Sequence, residues 1–233
     1  MLVFAHDYET TGVDAKRCGV VQSALCFARL HEDGTYEILS SDVQVLDPDM
    51  PIPAQASAIH GKYAEDVEGK PHWESYLAEQ FELVNDTPIE AVLGFNSTKF
   101  DDVIARRCGL GEYPVIDLYI AARRFKDEGL IAKANLGTTY KGLTGRDPEN
   151  AHDAFADITM TLDLVAPAMQ RAGTPTLSSF INWLRSPHST RSMQMPFGKH
   201  QGVKLCNLPK DYVRWALANL DLTPDLRQGL EQL

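Results

Sequence analysis

Leu2-Val3-Phe4-Ala5-His6-Asp7-Tyr8-Glu9-Thr10-Thr11-Gly12 passes from an apolar run straight into two carboxylates one residue apart. The apolar start, Leu2 to His6, reads as a short buried strand. Side chains alternate along a strand, so Asp7 and Glu9 point to one face. Two carboxylates held side by side repel each other unless a cation sits between them. Hard oxygen donors of this kind suit Mg²⁺ or Mn²⁺. A solvated pair on an edge strand would show the same spacing. Acids at the end of a buried strand are costly, however, unless they have a task.

Outward from that strand the pattern continues as β, then mixed. Gly19 to Arg29 is apolar and rich in β formers, and Thr35 to Leu46 continues it, with His31-Glu32-Asp33-Gly34 as a hairpin turn. Pro48, Pro51 and Pro53 forbid regular structure next. His72 to Val84 has helical spacing behind Pro71. Ala91 to Phe95 reads as a fourth strand, Thr98 to Cys108 as a helix, and Val115 to Leu118 as a fifth strand leading into a helix through Phe125. Asn135 to Gly142 reads as a helix, and so does Ala154 to Met169, bent near Pro167. Three strands in meander order followed by alternating helices and strands predict an α/β fold, a mixed sheet covered by helices.

Two further segments carry chemistry. Gly94-Phe95-Asn96-Ser97-Thr98-Lys99-Phe100-Asp101-Asp102 leaves a strand and opens a helix, so that one acid can face the strand-end pair. Acids also occur at helix starts simply because they complement the dipole. In Asn150-Ala151-His152-Asp153-Ala154-Phe155-Ala156-Asp157, Asp153 caps a helix and leaves His152 in the loop before it. If both His152 and Asp157 were helical, five steps would set them roughly 140° apart. The loop placement lets the imidazole swing to the same site. The inventory is then four carboxylates and a histidine. That set serves two-metal phosphodiester hydrolysis, with ions roughly 3.5–4 Å apart and an imidazole taking a proton from water.

At this point the chain resembles the DEDDh (DnaQ-like) 3′→5′ exonuclease superfamily, and most closely its exonuclease I and exonuclease X branches. The likeness rests on the three segments just quoted and on Ile59-His60-Gly61, and it covers about the first 170 residues. It implies a ribonuclease H-like mixed sheet flanked by helices. It implies Asp7, Glu9, Asp101 and Asp157 as ligands of two Mg²⁺ ions, replaceable by Mn²⁺, with His152 as general base. Asp101 is preferred to Asp102 because the family's acid directly follows the Phe. Tyr8, Thr10 and Thr11 would lie against the terminal nucleotide, with Asn96 and Phe100 shaping the pocket. The implied partner is nucleic acid, through single-stranded 3′ ends, with DNA favoured over RNA. An RNA exonuclease and an inactive nucleic-acid-binding module are the alternatives. Exonuclease I itself is about twice as long. Asn135 stands where it carries a substrate-touching arginine.

Composition sets the remaining expectations. Hydrophobic residues make up 44% and charged residues 23%, enough for a core, and no apolar run is long enough for a membrane span. The N-terminal run turns acidic within seven residues and reads as a strand, not a secretory signal. Cys18, Cys26, Cys108 and Cys206 form neither a Cys-x-x-Cys pair nor a cluster with histidine, and read as reduced thiols in a cytoplasmic protein. Net charge is −10, which opposes a polyanion. Yet Ile181 to Arg214 holds six Lys/Arg against one acid, Asp211.

We therefore expect an exonuclease domain over 1–173 and a small basic α+β domain over 174–233 that binds nucleic acid. In the latter, Leu177 to Leu184 reads as a helix and Phe197-Gly198-Lys199-His200-Gln201-Gly202 as a hairpin-like loop. A helix opened by Pro209 and a short terminal helix follow. Lys199 and His200 read as substrate contacts there. Trp215 reads as part of the small domain's core.

Overall fold

The first strand lies in the middle of the sheet, which is why its apolar half is buried on both faces. The computed structural model describes residues 1–149, 152–186, 193–231 and 233. The strands are β1 (Leu2–Thr10), β2 (Val20–Leu30), β3 (Tyr36–Val45), β4 (Ala91–Gly94) and β5 (Val115–Asp117), in the order β3-β2-β1-β4-β5. The β1–β2 and β2–β3 pairs are antiparallel, and the β1–β4 and β4–β5 pairs parallel. This is the mixed sheet expected from the sequence. The hairpin turn is also as expected, with Gly34 at φ +82°. A Cβ at Gly34 would lie 2.7 Å from Met169 Sδ and 2.8 Å from Ala166, so a side chain there would collide with the helix above the turn.

The helices are α1 (Ala54–His60), α2 (Ala64–Val67), α3 (Trp73–Asp86), α4 (Asp101–Arg107), α5 (Tyr119–Asp127), α6 (Leu136–Thr144), α7 (Ala154–Asp163), α8 (Val165–Ala172), α9 (Leu177–Arg185), α10 (Lys210–Asn219) and α11 (Pro224–Glu231). They cover both faces of the sheet. Val3 and Ala5 of β1 pack with Ala24 and Cys26 of β2 under Ile158 and Leu162 of α7. Phe4 points the other way, with Leu25, Phe81 of α3 and Ile104 of α4. Its ring lies 5.3 Å from Phe27 and meets Phe81 edge-on at 6.3 Å.

Three differences from the sequence reading have simple causes. β1 runs to Thr10, not His6, because β2 pairs with it as far as Thr10↔Val20, across a register shift after Glu9. The proline-rich stretch ends in α1 and α2. Pro53 is the N-cap of α1, where a missing N–H costs nothing. The long helix after residue 153 is two, α7 and α8, parting at Leu164. Pro167 has no N–H to give the carbonyl of Asp163 four residues back, so the break falls before the proline and not at it.

The C-terminal part packs by itself. Met193, Met195, Leu205, Leu208, Val213, Ala216, Leu222, Leu226 and Leu230 form a separate cluster. Among the described residues its β content is one bridge, Gln194 with Lys204. By contrast Leu177, Phe180, Ile181 and Leu184 of α9 belong to the first core. The buried Arg124 of α5 donates to the carbonyls of Trp183, Leu184 and Ser186, and its guanidinium lies 4.3 Å from the Trp183 ring centre. We therefore propose that the division of the chain falls after α9 and not at Gly173. Among the described residues no helix is long and apolar enough to cross a membrane.

Phe4 fills the space between the sheet and α3, with no exposed surface. Phe4→Ala is expected to lower stability by about 3–5 kcal/mol in chemical denaturation, the loss typical of a truncated core aromatic.

Candidate active site

β1 outruns its parallel neighbour. The β1–β4 pairing stops at Ala5↔Leu93, while β2 accompanies β1 to its end. Beyond Ala5, the β4 side of β1 is therefore open, and Asp7 and Glu9 follow Val3 and Ala5 on the face covered by α7. Asp7, Gly94, Phe95, Ser97, Asp101 and Thr161 help line a narrow cleft of about 10 Å³, roughly the room one water needs.

Each remaining acid arrives on a different element. Asp157 lies in the first turn of α7. Asp153 caps that helix, accepting from Ala156 N at 3.2 Å, as the sequence predicts. The capping carboxylate also accepts from Gln22 Nε2 at 3.1 Å, which ties the start of α7 to β2 beside Glu9. His152 precedes the cap with φ +70°, a conformation rare outside glycine but enriched for histidine. Ligand atoms of Glu9, His152 and Asp157 all lie within 4.8 Å of one another. Asn150 and Ala151 lie outside the described residues.

Asp101 opens α4 and is buried. Its neighbour Asp102 turns away to the opposite face of β1. There Asp102 Oδ1 comes within 3.2 Å of His6 Nε2, an approach of two buried groups without hydrogen-bond geometry. The two adjacent acids are thus divided between the cleft and the support behind it. The Asn96–Lys99 loop that delivers Asp101 is held by buried Asp117, whose carboxylate accepts from Asn96 N at 2.7 Å and Thr98 Oγ1 at 3.0 Å.

The electrostatics of the cleft follow first from desolvation and then from crowding. Burial, then the charges of Asp101, Asp157, Glu9 and Asp153, holds Asp7 well above the usual carboxylate range. Burial pushes Asp101 up to about 8, although backbone hydrogen bonds from Asp101 and Tyr8 oppose it. Burial pushes Glu9 up to about 7; Asp157 adds to this, and the nearby Lys62 ammonium counters it. Burial raises Asp157 to about 6, against the favourable charge and backbone N–H of His152. The donor set of carboxylate oxygens with one imidazole fits a hard divalent cation. Positive charge placed among these groups opposes both causes of the shifts.

Some expected contacts are elsewhere. Tyr8 alternates to the face opposite Asp7 and Glu9, where it is 5% exposed in the Phe4 cluster, so its ring lies away from the cleft. Thr11 is buried. Its Oγ1 accepts from Gly19 N and donates to Met50 Sδ, closing the loop after β1. Thr10 is partly buried, and its Oγ1 donates to the Gly12 carbonyl at 2.9 Å. Phe100 packs against the Phe4 cluster. Asn96 is exposed and lines a cavity of about 350 Å³ with Thr98, Lys99 and Tyr119. Asn135 is spent capping α6, accepting from Thr138 N at 2.8 Å. Lys199 and His200 lie on the separate C-terminal cluster, where the His200 ring meets Tyr212 at 4.3 Å.

Sequence reasoning missed Gln22, Asp117 and Lys62. Gln22 was visible as a polar residue in an apolar strand. Asp117 stood out as an acid ending one. Nothing local marks Lys62.

A mixed sheet flanked by helices, with carboxylates gathered at the end of its central strand, is the ribonuclease H-like arrangement. The comparisons agree. The family model described as "Exonuclease" matches residues 4–165, and the chain belongs to that family. A second model, described as "Putative quorum-sensing-regulated virulence factor", matches residues 188–219. E. coli exonuclease I in complex with a dT13 oligonucleotide superposes with a TM-score of 0.66 at 19% identity, over 97% of this chain and 61% of that one. The zinc-bound complex of E. coli exonuclease I with single-stranded DNA gives 0.65 at 17%, over 94% and 59%. Exonuclease X in complex with 5′ overhanging duplex DNA gives 0.53 at 23%, over 78% and 99%. The chain thus spans about 60% of the length of the exonuclease I structures. No curated protein sequence is significantly similar to it.

The raised carboxylates imply a pH effect of fixed sign. A group whose folded pKa exceeds its unfolded one stabilises the protein at low pH, and that contribution is lost as pH rises through the folded value. In EDTA the melting temperature should therefore fall by several degrees from about pH 5 to about pH 8, the span bounded by the unfolded carboxylate range and the raised values. Mn²⁺ should reverse the loss at the alkaline end.

Proposed function

We propose that the chain is a 3′→5′ exonuclease that releases nucleoside 5′-monophosphates from single-stranded 3′ ends, of DNA in preference to RNA. The observation that carries this reading is the convergence of Asp7, Glu9, Asp101 and Asp157, delivered by β1, α4 and α7, with His152 beside Glu9 and Asp157. Asp7, Glu9, Asp101 and Asp157 would hold two Mg²⁺ ions, or Mn²⁺ in their place. When bound, such ions polarise the scissile phosphate and lower the pKa of water.

The chain's own groups do the rest. His152 accepts the proton of the attacking water at an imidazole nitrogen. The new bond is between that water's oxygen and phosphorus. The bond that breaks joins phosphorus to the 3′-oxygen of the preceding nucleotide, and that oxygen is protonated from solvent. Exposure of His152 suits a base that exchanges its proton with bulk water each turnover. The loop between β4 and α4, with exposed Asn96, lies beside the cleft where the terminal nucleotide would sit. The DNA preference draws on the DNA-bound exonuclease I and exonuclease X structures as the analogous cases.

Single-stranded oligonucleotides labelled at either end, in DNA and RNA form, test the proposal with Mg²⁺ or Mn²⁺. Wild type should shorten 5′-labelled DNA stepwise from its 3′ end. Asp7→Ala should abolish this, and His152→Ala should slow it by about 10²–10⁴-fold while leaving the melting temperature near that of wild type. Faster degradation of matched RNA would sink the DNA preference, and no release by wild type with either metal would sink the catalytic reading.

A further inference from the structure

The C-terminal cluster leaves rings outside its own core. Trp215, expected inside, is 50% exposed, and Phe197 is 40% exposed. Tyr212 and Trp215 stand three apart on α10 and so share a face. Their ring centres lie 5.7 Å apart, with planes tilted by 33°. The His200 ring braces Tyr212 at an angle of 62°. Phe197, Gly198, Lys199, Tyr212, Trp215 and Leu220 wall a concavity of about 310 Å³. Gly198, at φ +76°, turns the chain at its rim.

Burial alone does not account for this arrangement. A small domain short of core would gain by covering two large rings, yet the chain presents them to solvent. The charge around them selects the occupant. Among the described residues no acid lines the concavity, and Lys199 does. Between residues 193 and 214 the chain carries Lys199, Lys204, Lys210 and Arg214, all exposed, against Asp211 alone, in a protein of net charge −10. Open rings beside exposed cations match a ligand with planar π-faces on an anionic backbone.

We propose that this pocket is a second nucleic-acid site, stacking a base of a single strand between Trp215 and Phe197 while Lys199 meets the neighbouring phosphate. The acidic nuclease would thereby hold its strand at a point apart from the carboxylate cleft. The proposal rests on the nuclease reading only for the source of the strand.

The test uses the full chain in EDTA, with binding of a labelled oligothymidylate of about 20 nucleotides read by anisotropy and by quenching of tryptophan fluorescence. Trp215→Ala and Phe197→Ala should each weaken binding about tenfold, whereas Trp215→Phe should cost less than about threefold. Lys199→Ala should flatten the salt dependence. An abasic strand of the same length should bind wild type about as weakly as the oligothymidylate binds Trp215→Ala. The proposal fails if Trp215→Ala binds like wild type, or if the abasic strand binds as well as the oligothymidylate. It also fails if polyglutamate of matched charge competes equally, which would mark a docking site for acidic peptides. With Mn²⁺ in place of EDTA, hydrolysis of a chromogenic mononucleotide ester, too short to span both sites, should be unchanged in Trp215→Ala. If no form hydrolyses the ester but the Trp215 effect persists, the pocket stands and the nuclease reading falls. If all hydrolyse it and the Trp215 effect is absent, the reverse holds.

Discussion

The desolvation of carboxylates crowded at the end of β1 is the constraint around which this molecule is arranged. Four acids crowd the end of one strand, and burial and their neighbours' charges keep their protons on more tightly than water would. A fold does not gather such groups for stability, since each is costly to bury. Here the rest of the structure provides the rigidity that the gathering demands. β1 is clamped between β2 and β4, Gln22 ties the start of α7 to the sheet, and Asp117 ties down the loop that leads to Asp101.

The same constraint explains the division of labour across β1. Odd-numbered residues put Val3 and Ala5 in one core and Asp7 and Glu9 at its edge. Even-numbered residues put Phe4, His6 and Tyr8 behind the site. The face behind is aromatic, and there the approach of His6 to Asp102 links β1 to α4 behind the cleft. The cleft is therefore backed by a packed core.

Charge also organises the molecule at long range. A centre made of acids suits cations and repels a polyanion, so the strand must be attracted by some other part of the chain. Lys62 near Glu9 is a small local counterweight. In our proposal the larger one is the C-terminal cluster, where exposed lysines and uncovered rings occur together.

The sequence by itself determined the mixed α/β fold and the site's inventory. Alternation on β1 placed Asp7 and Glu9 together, and the cap at Asp153 left His152 in a loop. Both follow from local backbone geometry, which a few neighbouring residues dictate. The tertiary structure decided what depends on which face is covered. It turned Asp101 into the cleft and Asp102 out of it, sent Tyr8, Thr11 and Phe100 into packing roles, and left Trp215 uncovered. It also drew Gln22, Asp117 and Lys62 to the site and assigned α9 to the first core. Those outcomes rest on contacts between residues far apart in the chain, fixed only when the sheet and helices close on one another.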